Sequence, residues 1–206
     1  MMATHTNKDS INIMHTIKPN TIGAEIGVWM GNTSTQFLKK NLKKFYMVDA
    51  YSVEPYKESS EMSYQEYLAK YQPITGEFSE GGFKKYYDRV YNEVKTRFST
   101  FKEVEICRVT SDIWFEEFMA AKGHGNNEML DWIYIDGDHS YEGCLRDLEN
   151  ALQVVRPGGL ILGDDYGWPN SKWSKPGVTK AVNEFINKNN LTKMLRHGMT
   201  QYEIRI

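Results

Sequence analysis

The chain has 206 residues, a formal net charge of −2 and 25% charged residues. That length suits one domain with a full core, and the near-neutral balance provides no basic surface for nucleic acid. No apolar stretch approaches the roughly 18 residues of a membrane span. Cys107 and Cys144 are far apart and no signal peptide precedes the first strand, so the expected setting is reducing and cytoplasmic.

In chain order, the first ten residues are polar and unpatterned, and residues 11–17 spell a short helix stopped by Pro19. Thr21-Ile-Gly-Ala-Glu-Ile-Gly-Val28 reads as the first strand, running into a turn with Gly27 and Gly31. Thr33 and Gln36 have capping-box spacing for a helix over 34–41. Phe45-Tyr-Met-Val-Asp49 is the second strand and ends in an acid. Strand, glycine turn, helix, strand, acid outlines a nucleotide-binding βαβ unit.

From residue 51 to 82 the pattern dissolves into Tyr, Ser, Glu and Gly, with one local helix over 62–71. So long a connection reads as an insertion that shapes a substrate pocket. Phe83, Tyr87, Val90, Val94 and Phe98 recur at helical spacing, as a core stripe or a dimer contact. A third strand over 104–109 precedes a helix over 112–121 with Ile113, Phe115 and Phe118 inward, then a loop at 123–127.

The fourth strand, 130–135, releases Asp136-Gly-Asp-His139, and a helix over 141–155 follows. Arg156-Pro-Gly-Gly159 is a turn into the fifth strand, 160–163, which releases Asp164-Asp165. Residues 166–175 form a loop whose Tyr166, Trp168 and Trp173 serve as a substrate lid or as surface packing. A helix over 177–187 and a closing pair of strands at 192–195 and 202–206 complete the chain. Alternating strands and helices predict an α/β, Rossmann-like, doubly wound fold with a mainly parallel seven-stranded sheet covered on both faces. Residues 1–206 form one such domain, with 1–20 as an N-terminal extension.

Two strands that release carboxylates at their C-terminal ends describe the ligand-binding edge of such a sheet. Asp136, Asp164 and Asp165 are hard oxygen ligands suited to Mg²⁺, Ca²⁺ or Mn²⁺. His139 is the base beside them, or a polar residue at a helix start, and Asp138 reads as a cap for that helix.

The turn Glu25-Ile-Gly27-Val-Trp-Met-Gly31 lacks the third glycine of a dinucleotide fingerprint and places an acid where a pyrophosphate would be repelled. An NAD(P)-binding oxidoreductase is therefore the alternative class, and a turn shaped only by glycine freedom is the bland reading. The turn resembles motif I of class I S-adenosylmethionine-dependent methyltransferases. Asp49 matches the acid that binds the ribose hydroxyls there, and Ser111-Asp112 match the adenine contacts. The resemblance assigns cofactor contacts to Glu25, Gly27, Val28, Gly31, Thr33, Ser34, Asp49, Ala50, Ser111, Asp112 and Asp136.

The runs Asp131-Trp-Ile-Tyr-Ile-Asp-Gly-Asp-His-Ser-Tyr-Glu-Gly143 and Gly158-Gly-Leu-Ile-Leu-Gly-Asp-Asp-Tyr166 are similar to the metal-dependent O-methyltransferases, catechol-type and macrolide-sugar enzymes among them. That resemblance covers residues 21–185 and departs from the catechol-type enzymes in the 51–82 insertion and a short N-terminus. It implies Asp136, Asp164 and Asp165 as Mg²⁺ ligands and His139 as the base. The implied reaction is methyl transfer from S-adenosylmethionine to a hydroxyl of a small polyhydroxylated acceptor, a sugar or glycoside in preference to a catechol. No nucleic-acid or membrane partner is implied, and a homo-oligomer is compatible.

Overall fold

The computed structural model describes residues 13–57, 63–123, 128–167, 177–191 and 194–206. In chain order the elements are β1 (Ile22–Ile26), α1 (Asn32–Leu38), β2 (Lys44–Val48), α2 (Glu54–Lys57), α3 (Tyr64–Thr75), α4 (Glu80–Phe98) and β3 (Val104–Cys107). There follow α5 (Ser111–Gly123), β4 (Leu130–Ile135), α6 (Tyr141–Val154), β5 (Val155–Gly163), α7 (Gly177–Lys188), β6 (Met194–His197) and β7 (Gln201–Arg205). They build a seven-stranded sheet in the order β3-β2-β1-β4-β5-β7-β6. The first five strands run parallel, and β7 is antiparallel to both β5 and β6.

The order explains where a ligand can lie. The chain winds outward from β1 through β2 to β3, then returns to β4 and winds the other way. Connections therefore diverge between β1 and β4 and leave a crevice at their C-terminal ends.

Side-chain alternation decides how the sheet is covered. On β4, Trp132 and Tyr134 point to one face, packed with Phe37, Phe45 and the α4 residues Phe83, Val90 and Val94. Ile133 and Ile135 point to the other, packed with Trp114 and Phe115 of α5, Leu148 and Ala151 of α6, and Phe185 of α7. Burial on both faces is why these strands read as apolar runs with little polar alternation.

Several boundaries differ from the sequence expectations. Helix α1 begins at Asn32, because Gly31 takes the N-cap position at φ 70°; Thr33 lies inside the first turn, and the expected Thr33/Gln36 capping box does not form. The 51–82 segment holds more helix than its composition suggested. A capping box pairs Ser63 with Glu66 at the start of α3, and the Ser79 side chain caps α4. The stretch 156–159 joins β5 across a register shift opposite Leu130 and Trp132. Ile113, expected inward, is 46% exposed, and its neighbour Trp114 is buried instead.

Of residues 11–17, the described part begins with Ile13 in helical conformation and continues as a 3-10 turn at Met14–Thr16. Trp168 and Trp173, the 124–127 loop, the first ten residues and the start of the 192–195 strand lie outside the described residues. No helix among the described residues is long and apolar enough to cross a membrane.

Candidate functional site

The crevice edge is assembled from five strand ends. β1 delivers the turn from Gly27 to Gly31, whose first glycine has φ 88°. A Cβ at Gly27 would stand 2.1 Å from the Asp136 carbonyl oxygen, so only glycine lets the β1 turn cross the end of β4. The Asp136 N–H donates to the Ile26 carbonyl at 2.8 Å and locks the two strand ends together.

At the ends of β4 and β5, Asp136, His139 and Asp165 converge, with one donor atom of each within 4.8 Å of the others. His139 Nε2 lies 3.3 Å from Asp136 Oδ1, and its Nδ1 lies 2.9 Å from Asp165 Oδ2. Asp165 holds φ 62°, a conformation Asp tolerates better than most residues, and this turns its carboxylate toward His139. The ring is 42% exposed and so accessible from the crevice.

The electrostatics follow from that contact. Lost hydration works against a charged imidazole, yet its hydrogen bonds to Asp136 and Asp165 outweigh it and hold the His139 pKa well above 6.5. At Asp136 burial dominates and, against the opposing pull of His139, raises the carboxyl to about 6. At Asp165 burial raises the pKa, but the His139 hydrogen bond and charge prevail and lower it.

Asp164 stands apart from this trio. Its Oδ1 accepts from Thr200 Oγ1 at 2.5 Å and from the Asp165 N–H at 2.8 Å, while Oδ2 accepts from the Tyr134 hydroxyl at 3.2 Å. Gln201 Nε2 donates to the Tyr134 oxygen at 3.1 Å, so a buried polar chain supports Asp164 from within the sheet. The structure thus brings together Asp136, Asp165 and His139, and gives Asp164 three protein donors.

The cofactor-side residues divide between edge and interior. Glu25 is buried and accepts from the Ser34 hydroxyl; burial, with the charges of Asp136 and Asp49, raises its pKa well above the carboxylate range. Val28, Thr33 and Ser34 are buried too, Val28 within the apolar core. Asp49 Oδ2 accepts from the Trp29 N–H at 2.8 Å and Oδ1 from the Tyr51 N–H at 2.7 Å, with half-buried Ala50 between. Burial raises the Asp49 pKa despite these bonds. At α5, Asp112 forms a 2.7 Å ion pair with Arg146, and Ser111 hydrogen-bonds Asp147.

Three contributors were not identified from sequence. Trp29 and Tyr51 hold positive φ of 45° and 44°, backbone states that cost a bulky residue about 1–3 kcal/mol each. Asp147 is buried, and its Oδ1 has no hydrogen-bond partner. The signal for Asp147 was present: it shares the buried helical stripe of Cys144, Leu148 and Ala151. Ser140, not Asp138, caps α6, accepting from the Gly143 N–H at 3.0 Å. Asp138 instead accepts from the Ser140 N–H at 2.9 Å and steadies that cap.

The donor set suits a hard divalent cation. Two carboxylate oxygens and an imidazole nitrogen stand within 4.8 Å of one another, and oxygen-rich donors are the kind that Mg²⁺ takes, at bonds of about 2.1 Å.

Comparison with known proteins bears on the fold that carries this site. The O-methyltransferase NovP has the same fold, with a TM-score of 0.57 and 15% identity over 96% of this chain and 76% of that one. The N-methyltransferase NodS from Bradyrhizobium japonicum WM9, in complex with S-adenosyl-L-homocysteine, matches with a TM-score of 0.54 and 10% identity over 95% of this chain and 83% of that one. The fold is therefore that of the class I S-adenosylmethionine-dependent methyltransferases. Residues 24–166 match the "Methyltransferase domain" family, and the chain belongs to it. A sequence relative, "Uncharacterized protein R132" of Acanthamoeba polyphaga mimivirus, is 39% identical over 57 residues, covering 28% of this chain and 24% of the relative. The matched part thus spans less than two thirds of that relative's length.

Proposed function

We propose that the protein transfers a methyl group from S-adenosylmethionine to a hydroxyl of a small polyhydroxylated acceptor, a sugar or glycoside, with a divalent cation, Mg²⁺ by donor chemistry. The observation that carries this reading is the convergence of Asp136, His139 and Asp165 beside the Gly27 turn. Acidic oxygens and a proton acceptor at one crevice edge suit activation of an oxygen nucleophile.

S-adenosylmethionine, when bound, supplies an electrophilic methyl on a sulfonium. The cation supplies Lewis acidity and orientation toward an acceptor hydroxyl. Asp136 and Asp165 would hold the cation, while Asp164, engaged by Thr200, Tyr134 and the Asp165 amide, would support them from behind. A cation there would offset the carboxylate charge that otherwise keeps a proton on His139. The neutral imidazole then accepts the hydroxyl proton on Nε2, while Asp165 orients the ring through Nδ1–H. The turn held by Gly27 and Gly31 would border the cofactor's methionine part, with Glu25 buried behind it on the Ser34 hydroxyl, and Asp49 would offer the ribose hydroxyls its remaining lone pairs. Ser111 and Asp112, at the start of α5, would flank the adenine.

A tritiated-methyl screen over sugars, glycosides and catechols tests the reading. Label in a sugar or glycoside supports it. Label confined to catechols replaces the acceptor class, and label confined to amines, or absent throughout, overturns hydroxyl methylation.

A further inference from the structure

Both carboxylate oxygens of Asp49 lead, by separate hydrogen-bond chains, to helix α4. Oδ2 accepts from the Trp29 N–H at 2.8 Å, and the Trp29 indole N–H donates to the Tyr86 hydroxyl at 2.8 Å. Oδ1 accepts from the Tyr51 N–H at 2.7 Å. The Tyr51 carbonyl in turn accepts from Arg108 Nη2 at 3.0 Å, and that same nitrogen reaches Asp88 Oδ1 at 2.5 Å. Tyr86 and Asp88 are two residues apart on α4.

Two of the amides that hydrogen-bond Asp49, those of Trp29 and Tyr51, belong to the bulky residues held at positive φ, 45° and 44°. Such backbone persists only where its surroundings over-determine it. Here the surroundings are Asp49 on one side and α4 on the other. Helix α4 grips the same turn twice more. Arg97 donates to the Met30 carbonyl at 2.8 Å, and the Phe98 ring occupies the space above Gly31, 2.7 Å from where a Cβ would stand. Tyr71 of α3 packs against Phe83 of α4, so movement of one helix is felt by the other.

We propose that Trp29, Tyr51, Tyr86 and Arg108 are positioning residues that couple occupancy of Asp49 to the stability of α4 and of α3 packed on it. The Asp49 carboxylate keeps acceptor capacity for a ligand hydroxyl while holding its amides. A diol bound there fixes Asp49, and the two chains carry that constraint to α4. The proposal rests on the reading that Asp49 faces the cofactor ribose, and it assigns the helices between β2 and β3 a cofactor-dependent stability.

The test is amide hydrogen exchange of the full chain with and without S-adenosylhomocysteine. Helix α7, packed on the opposite face of the sheet from α4, serves as the internal reference. In the parent, saturating ligand slows exchange in α3 and α4 by about tenfold more than in α7. In Tyr86→Phe/Arg108→Met, which cuts both chains beyond Asp49, that extra slowing disappears. Calorimetry then shows affinity weakened by no more than the same factor of about ten, as reciprocity demands. Each single substitution leaves one chain and part of the effect, and so decides the matter if the double variant does not fold. Equal slowing in all three helices of the parent overturns the proposal, as does extra slowing that persists in the double variant or undiminished in both singles. A flat calorimetric trace with the parent protein brings down the cofactor reading itself, and is told apart by that trace.

Discussion

His139 Nδ1 lies 2.9 Å from Asp165 Oδ2, a contact that closes the gap between the ends of β4 and β5. It brings a proton acceptor from one strand end against a carboxylate from the next, with Asp136 at 3.3 Å on the other ring nitrogen. No such trio forms unless the two strands are adjacent and in register, as the pairing of Ile135 with Gly163 makes them.

His139→Ala removes the proton acceptor and leaves Asp49, Glu25 and the glycine turn intact. Turnover is expected to fall by about 10²–10⁴-fold, the usual worth of a positioned general base. Affinity for S-adenosylhomocysteine stays near the parent value. Calorimetry beside a methyl-transfer assay separates the two effects, and an unchanged rate excludes the base role.

Thr200→Val deletes the hydroxyl that donates to Asp164 Oδ1. The buried carboxylate loses a partner, which costs about 1–3 kcal/mol of stability. The Asp165 amide also bonds Asp164, so the cation site loosens as well. Urea unfolding and the Mg²⁺ concentration for half-maximal activity should both shift. A variant that matches the parent in both shows that Asp164 does not support the site.

Burial pushes the Asp147 carboxyl up to about 7, against an ordinary value of 3.8, even though Ser111 bonds it. The folded protein therefore holds this proton more tightly than the unfolded chain does. Its contribution to stability is fully present below about pH 4 and is lost as pH rises through about 7. Asp147→Asn removes that loss, so its unfolding free energy declines less steeply than the parent's between those limits. Comparing the two slopes cancels other buried acids, and parallel slopes would show that Asp147 titrates normally.

Gly27→Ala combines a strained φ of 88° with a Cβ 2.1 Å from the Asp136 carbonyl. The backbone at the end of β4 must shift, and the loss is expected to exceed about 2 kcal/mol. Thermal denaturation checks the stability, and activity should fall further than stability alone explains because Asp136 moves with the strand. A variant as stable as the parent would show that the crossing has room to relax.

Much of this arrangement was legible in the residues themselves. Apolar runs ending in Asp49, Asp136 and Asp164-Asp165 located the strand ends, and Gly27 with Gly31 located the turn, because these features are set within a few neighbouring residues. The start of α1 was misjudged because Gly31 at φ 70° replaced the side-chain cap that Thr33 and Gln36 advertised. The Ser63–Glu66 box was present in the sequence but hidden by a segment whose composition reads as loop. What sequence could not show were contacts across long separations. The Trp29 indole finds Tyr86, and Asp164 finds Thr200, only once the sheet order is fixed. The direction in which Asp164 points depends on those partners, so adjacency to Asp165 alone did not reveal it.

Methyl transfer by EDTA-treated protein, titrated back with Mg²⁺ on an acceptor that the label screen identifies, tests the central claim most directly. The account predicts that chelation abolishes transfer, that Mg²⁺ restores it, and that Asp136→Ala and Asp165→Ala blunt the restoration. Undiminished transfer to a hydroxyl after EDTA treatment, with both variants as active as the parent, would contradict it.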